Sequence, residues 1–520
     1  MNQYINIKVC LIGLAVWLVV PSCTDHFEEL NTPPTAVTVI NPAFTFSESI
    51  RMDQINYNYE WINSRIFGAW VQHWANVTQD NGMPNYYMPD RRIDDLMWQH
   101  IYQNVLKNLE RTQALLLDIS DGDENDPEVR TRLAITRIYE QLPFEKLTAG
   151  YGYVPYFQGG RGMECHSFHE YDTQSSIYPA IIQQLDASMA MLNQGDLSFG
   201  DADFFYGGNV EGWRRLANSI KLRVGMRMRN ADPSAAQAAV TQAMQGPLIS
   251  NNAQAAMLAT SANNGPNETA HPITREMRFP DNKSRPGKQL VDMLKDKNDP
   301  RLTLIAEPTL ESKQSGDPAD HQFEGIRPNM TPAQYEELNL SRVSEVALDI
   351  WANEDRNVPV HVFTYAEAAF LKAEAALYGW GATEADAEGF YRDGIRAAMQ
   401  MEPYNLPDAT VDAYLAEHGT LSGSVEEKLE MIIEQKYIAF FSQGLEAYFD
   451  WRRTGFPVLD PGDRTANVTN GQIPRRAYYS QVEQSLNRTN FQAAVARQGE
   501  DHPLTRMWID PENVPSIANR

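Results

Sequence analysis

The sequence predicts a mostly α-helical protein, a tetratricopeptide-like scaffold of helical hairpins with a loop-rich ligand-binding lobe and few short strands. Three observations carry this expectation. Long segments repeat apolar residues at helical spacing. The clearest of them come in pairs joined by short links. No strand–helix alternation signals a doubly wound sheet.

Residues 101–119 set Tyr102, Val105, Leu106, Leu109, Leu116 and Ile119 on one stripe. Residues 177–192 do the same with Ile177, Ile181, Leu185, Met189 and Leu192, and residues 213–228 with Trp213, Leu216, Ile220 and Val224. Ser424-Val425-Glu426-Glu427 is a capping box that opens a helix over 424–443, and Gly444 is expected to stop it. The pair 365–378 and 384–400 approximates a tetratricopeptide unit, with Ala375 and Ala387 small enough for close approach, although Glu374 and Met399 depart from the usual pattern. Tyr153 to Phe157, ended by Gly159-Gly160, reads as a short edge strand. Long loop-rich stretches cover 76–95, 150–175, 196–212, 246–285 and 305–362. Loops of that length are usually functional or wrap the scaffold.

The N-terminus predicts export. Val9 to Val20 is an apolar run of 12 residues behind Lys8, too short to span a bilayer but suited to a signal-peptide core. Ser22-Cys23 follows, then the acidic stretch Thr24 to Glu29. Residues 1–22 therefore read as a lipoprotein signal, Cys23 as the acylated residue, 23–45 as a tether and 46–520 as the body. Cys10 leaves with the signal, and Cys165 has no intrachain partner, so stability must come from core burial. A chain of 520 residues exceeds what one compact core usually holds. Its formal net charge of −24 repels phosphate backbones and excludes nucleic acid as a partner.

Candidate chemistry is sparse. Glu164-Cys165-His166-Ser167-Phe168-His169-Glu170 has ligand types without the helical spacing of a zinc site, so it reads as a solvated loop. Asp121-Gly122-Asp123-Glu124-Asn125-Asp126 starts like a calcium loop but has Asp126 at the glycine position and Arg132 at the closing position. No cofactor is expected, with calcium left open there. Gly159-Gly160-Arg161-Gly162 lacks the context of a phosphate loop, and no Gly-x-Ser-x-Gly elbow occurs. Paired carboxylates remain available to a glycoside hydrolase, which is the alternative reading.

The aromatics say more. Residues 57–102 hold ten in 46 positions, including Trp61, Trp70, Trp74 and Trp98. Phe67, Trp70 and Trp74 share a helical face, which suits core packing. The loop Gln79 to Met88 then mixes amides with Tyr86 and Tyr87, a combination that suits sugar rings or peptide groups. The candidate ligand set is Trp74, Gln79, Asp80, Asn81, Tyr86 and Tyr87. The segment 446–457, dense in charge and aromatics, reads as structural, its arginines fixing helix ends through paired carboxylates.

Several segments together resemble the SusD/RagB family of nutrient-binding outer-membrane lipoproteins. They are the Cys23 region with its acidic tail, Leu30-Asn31-Thr32-Pro33, Gly68 to Trp74, Leu147 to Tyr156, Glu446 to Pro457 and Leu486 to Phe491. The resemblance implies four tetratricopeptide-like helix pairs and a separate loop-rich lobe for the ligand. It implies a SusC-like TonB-dependent transporter as partner, with the lipoprotein acting as its lid at the cell surface. It also implies capture of an oligosaccharide or oligopeptide without transforming it. In glycan binders of the family the loops after the first helices supply stacking aromatics, a place taken here by Tyr86 and Tyr87. A scaffold that binds only protein is a third reading.

Overall fold

Each main helix follows from an apolar stripe and a local stop or start. In the computed structural model, which describes residues 40–56, 61–77, 92–160, 168–261, 269–277, 284–353 and 356–510, the first is α1 (Pro42–Gln54). It starts inside the segment read as tether, and Thr45 ties it to Thr112 through a 2.7 Å hydroxyl–hydroxyl bond. Helix α2 (Arg92–His100) runs through a π-helical turn, Ile101–Leu106, into α3 (Lys107–Ile119). The stripe expected over 101–119 is thus buried from Val105 to Leu116, with one wider turn at its start, but Ile119 at its end is exposed. Helix α4 (Arg130–Tyr151) and α5 (Gln174–Met191) form one hairpin. Helix α6 (Val210–Met228) and α7 (Pro233–Gln245) form another.

Side-chain caps set the starts. Thr173 accepts from the Ser176 amide at the head of α5, and Asn209 accepts from Glu211 and Gly212 at the head of α6. The pair α8 (Tyr365–Leu377) and α9 (Ala387–Gln400) packs as the sequence predicts. Its close approach is set at Gly394, where a Cβ would lie 2.6 Å from the Phe370 ring. Helix α10 (Asp408–His418) packs on α9, and α11 (Val425–Ala439) opens with the expected capping box of Ser424 and Glu427.

Gly444 does not stop α11. That helix closes at Phe440, and Gly444 is the first residue of α12 (Gly444–Thr454). The reason is steric. A Cβ on Gly444 would lie 2.2 Å from the Asn63 carbonyl oxygen and 2.5 Å from the Gly68 Cα, so two backbones cross here with no room for a side chain. The true terminator is Gly455, which ends α12 in the left-handed region at φ 78°. Two helices finish the described chain, α13 (Gln481–Leu486) and α14 (Arg488–Gln498).

Strands are few and short. Strand β1 (Trp74–Asn76) pairs antiparallel with β3 (Ser284–Pro286), and β2 (Ala256–Leu258) with β4 (Val360–Phe363). The expected strand at 153–157 is reduced to one bridge, Val154 with Asp172. The loops read over 246–285 and 305–362 carry β2 and most of β3 and β4, with several single-turn helices.

Segment 446–457 is structural, but its charges are buried rather than solvated. Arg223 of α6 meets Glu145 of α4 at 2.7 Å and Glu367 of α8 at 3.2 Å. Arg227 contacts Glu145 at 2.6 Å and also Glu446 of α12. Arg453 forks onto Glu374 of α8 at 2.5 and 2.7 Å and bonds Asp450, which also takes Lys436. Arginines Arg223 and Arg227 hold the Glu446 carboxyl below the usual carboxylate range, although burial opposes them.

Two expectations follow. Gly444→Ala should destabilise the fold by about 1–3 kcal/mol, because backbone overlap outweighs the roughly 1 kcal/mol that alanine contributes to a helix. Urea unfolding of the variant checks this. The second concerns pH. Burial lowers His73 and His271 to about 3 and His361 to about 4. Each stays neutral in the fold while the unfolded chain takes a proton below its ordinary value of about 6.5, so stability falls as pH drops through that value. The slope is on the order of 1 kcal/mol per pH unit for each histidine. Glu367, raised to about 7 by burial, acts in the opposite sense over the same window. Burial lowers His100 as well and raises Asp203 and Asp510 as it does Glu367, so four histidines against three carboxyls predict a lower urea midpoint at about pH 5 than at about pH 7.

Candidate functional site

Of the residues expected to hold ligand, Trp74 is described and Gln79, Asp80, Asn81, Tyr86 and Tyr87 lie outside the described residues. So do Cys23 and the run Glu164 to Ser167. Trp74 is not available to a ligand. It is 2% exposed and stacks on Phe441, ring centroids 4.7 Å apart at 26°. Trp70 is core as expected, edge-on to Phe67 and Tyr448, but the helix spans only Phe67–Trp70 and Trp74 opens β1, so the three do not share one helical face. Strand β1 is therefore an anchor. It ends just before segment 78–91, and its partner β3 begins directly after segment 278–283.

A cavity of about 310 Å³ lies beyond the other end of segment 78–91. Its walls come from α2, the π turn, the start of α3, the loop 155–160, and Ser480 to Asn487. The π turn accommodates one more residue than an α turn and so re-aims the side chains it carries. Here it carries Tyr102 and Gln103, both on the cavity wall. Tyr102 is fixed by donating its hydroxyl to the Pro155 carbonyl at 2.7 Å.

Beneath the cavity Trp98 is set in an aromatic nest. Tyr151 and Tyr479 meet it edge-on at 5.1 and 5.8 Å, and Tyr171 stacks at 5.7 Å. On the opposite wall the Glu483 carboxylate accepts from the Tyr171 hydroxyl at 2.8 Å and from the Asn487 amide at 2.9 Å. Asn487 also donates to the His169 carbonyl at 2.8 Å. The Gln481 amide donates to Asp95 at 2.9 Å and ties α13 to α2. Burial, with Glu483 nearby, pushes the Tyr102 and Tyr171 phenols well above their ordinary range, so both stay protonated donors.

The arrangement suits recognition. Flat aromatic rings lie beside Gln99 and Gln103, whose amides can donate and accept at once, while the Asn487 amide is already committed to Glu483 and His169. Glu110 and Glu483 are the carboxylates on its wall, and Glu483 already accepts two side-chain bonds. The Asp121 loop does not fit calcium. Asp123 and Asp126 turn back onto the Asn125 and Glu128 amides, and Arg132 occupies the closing position, bonded to the Glu128 carbonyl. Among the described residues no three metal-ligating side chains converge.

With fold and cavity defined, the chain finds its class. It belongs to the SusD-like family, whose model, described as starch-binding and associating with the outer membrane, matches residues 34–480. It is similar to a solved chitin-binding protein at 26% identity and TM-score 0.77, covering 90% of this chain and 100% of that one. A SusD homolog from Bacteroides uniformis is 25% identical with TM-score 0.75, covering 91% and 99%. A chitin-binding SusD homolog from Flavobacterium johnsoniae shares the fold at 23% identity, TM-score 0.75 and the same coverage. No curated protein matches the chain. The aromatic enrichment of 57–102 included Trp98 and Tyr102. The signal in Leu486 to Phe491 included Asn487. Nothing in the sequence paired the two segments.

Proposed function

We propose that this protein captures a glycan at the outer membrane and does not transform it. One observation carries the reading: the cavity at the π turn sets the Tyr102 ring, backed by the buried Trp98, beside the amides of Gln99 and Gln103. Sugars offer both an apolar ring face and rows of hydroxyls, and such a wall matches both. The family description and the chitin-binding relative support a glycan over a peptide. In this reading Cys23 is acylated and anchors the body to the cell surface, and residues 24–45 link the two. The residues Gln79, Asp80, Asn81, Tyr86 and Tyr87 extend the ligand surface from the neighbouring segment. The partner is a SusC-like TonB-dependent transporter, over which the body acts as a lid.

Calorimetric titration with starch and chitin oligosaccharides tests the binding. The wild type should bind at least one of them without releasing reducing ends. Gln103 and Lys107 are exposed on the cavity wall. Gln103→Ala should weaken binding about three- to tenfold, the size of one lost hydrogen bond, with unfolding unchanged. Turnover abolished by Glu483→Gln would establish a hydrolase instead. For the anchor, Cys23→Ala should move the protein from the membrane to the soluble fraction and remove a transporter barrel from its detergent copurification.

A further inference from the structure

We infer that the ligand is an extended neutral glycan chain, which leaves the cavity and continues into a second subsite on α3, α4 and α5 with Phe157 as its platform. This rests on the glycan reading above and adds the path and length of the chain. The cavity has a larger neighbour of about 930 Å³, and Glu110 and Gly160 line both. The two spaces therefore adjoin at Glu110 and Gly160, where a chain too long for the first would pass into the second.

The second space has the chemistry of a sugar surface. Gln113 of α3 and Gln183 and Gln184 of α5 line it with amides, and Tyr156 and Phe157 supply rings over the buried Phe144. Phe157 is 48% exposed. An exposed phenyl is unremarkable alone, but this one is rigidly mounted. The Tyr156 and Phe157 amides both donate to one Asp172 oxygen, at 2.8 and 2.9 Å. Val154 and Asp172 exchange backbone bonds just before it. The Tyr156 ring meets Phe157 edge-on at 5.1 Å, and its hydroxyl donates to Gln141 at 2.8 Å. Gly159 sits so close that a Cβ would lie 2.1 Å from the Pro155 carbonyl oxygen, which locks the loop against itself. A platform ordered in advance loses little entropy when a ligand lands on it.

The charges favour a neutral chain. Arg111 and Arg137 face the groove together with Asp118 and Glu140. Arg137 is already forked onto Glu124, at 2.9 and 2.6 Å. A phosphorylated or sulfated chain would want an uncommitted cationic cluster.

The test is calorimetric titration of the mature chain with maltooligosaccharides and chitooligosaccharides of increasing length. Affinity should keep rising beyond the shortest ligand that binds. Phe157→Ala should weaken long chains about three- to tenfold, the size of one lost ring contact, and leave the shortest binder unchanged. Gln103→Ala should weaken both. If Phe157→Ala and Gln183→Ala leave long chains unaffected while Gln103→Ala still weakens them, the second subsite is overturned and the glycan reading stands. If affinity stops rising at the shortest binder, the extended path is likewise overturned. If no oligosaccharide of any length binds the wild type, both fall together.

Discussion

The fold depends on a lattice of charges buried where four helices meet. Arg223 and Arg227 project from α6 toward carboxylates on α4, α8 and α12, and Arg453 of α12 reaches back to Glu374 of α8. None of these charges is in water, so each is held only by its partners. Removing one partner from such a pair costs about 3–5 kcal/mol, because the remaining charge stays buried and unpaired. The lattice therefore specifies register: a helix shifted by one turn would strand a charge in the interior. Apolar packing alone would tolerate such shifts far better.

That register reaches the cavity through α12. Arg452 donates to the Ala149 carbonyl at 2.6 Å and the Arg475 carbonyl at 2.9 Å, joining the end of α4 to the segment after α12. The Ala477 amide then donates to Gly150, and the Tyr479 hydroxyl to Tyr153, at 3.0 and 2.9 Å. These bonds lay the late chain along the end of α4 and deliver Ser480 to Asn487 to the wall opposite the π turn. At the other end of α12, Gly444 crosses Gly68 and positions the segment that leads into β1. One helix thus links the charge lattice, the cavity and strand β1.

Much of the helical frame was legible because its causes are local. The stripes of α5 and α6, the box at Ser424 and the pair α8–α9 each declare themselves within a few residues. Where the cause was distant, the reading failed. Gly444 looked like a terminator because glycine usually ends a helix, yet here it answers a backbone from nearly 400 residues earlier. Tyr153 to Phe157 has strand composition but only one bridge partner, and its Tyr156 and Phe157 line the larger space beside the cavity instead. Arg453 was read as pinning a helix end, and its main partner Glu374 lies on another helix.

The sequence by itself determined the helical class, the hairpin pairing, the acidic surface and the expectation of a lipid anchor at Cys23. Periodicity, caps, net charge and a signal-like apolar run act over short stretches of chain. The tertiary structure decided which aromatics face inward and where a ligand can sit. Trp74 and Trp98 belong to the same aromatic-rich stretch, yet one is sealed beneath Phe441 and the other underlies a cavity. What separates them is a wall contributed by Ser480 to Asn487, and no local pattern encodes a meeting between segments so far apart.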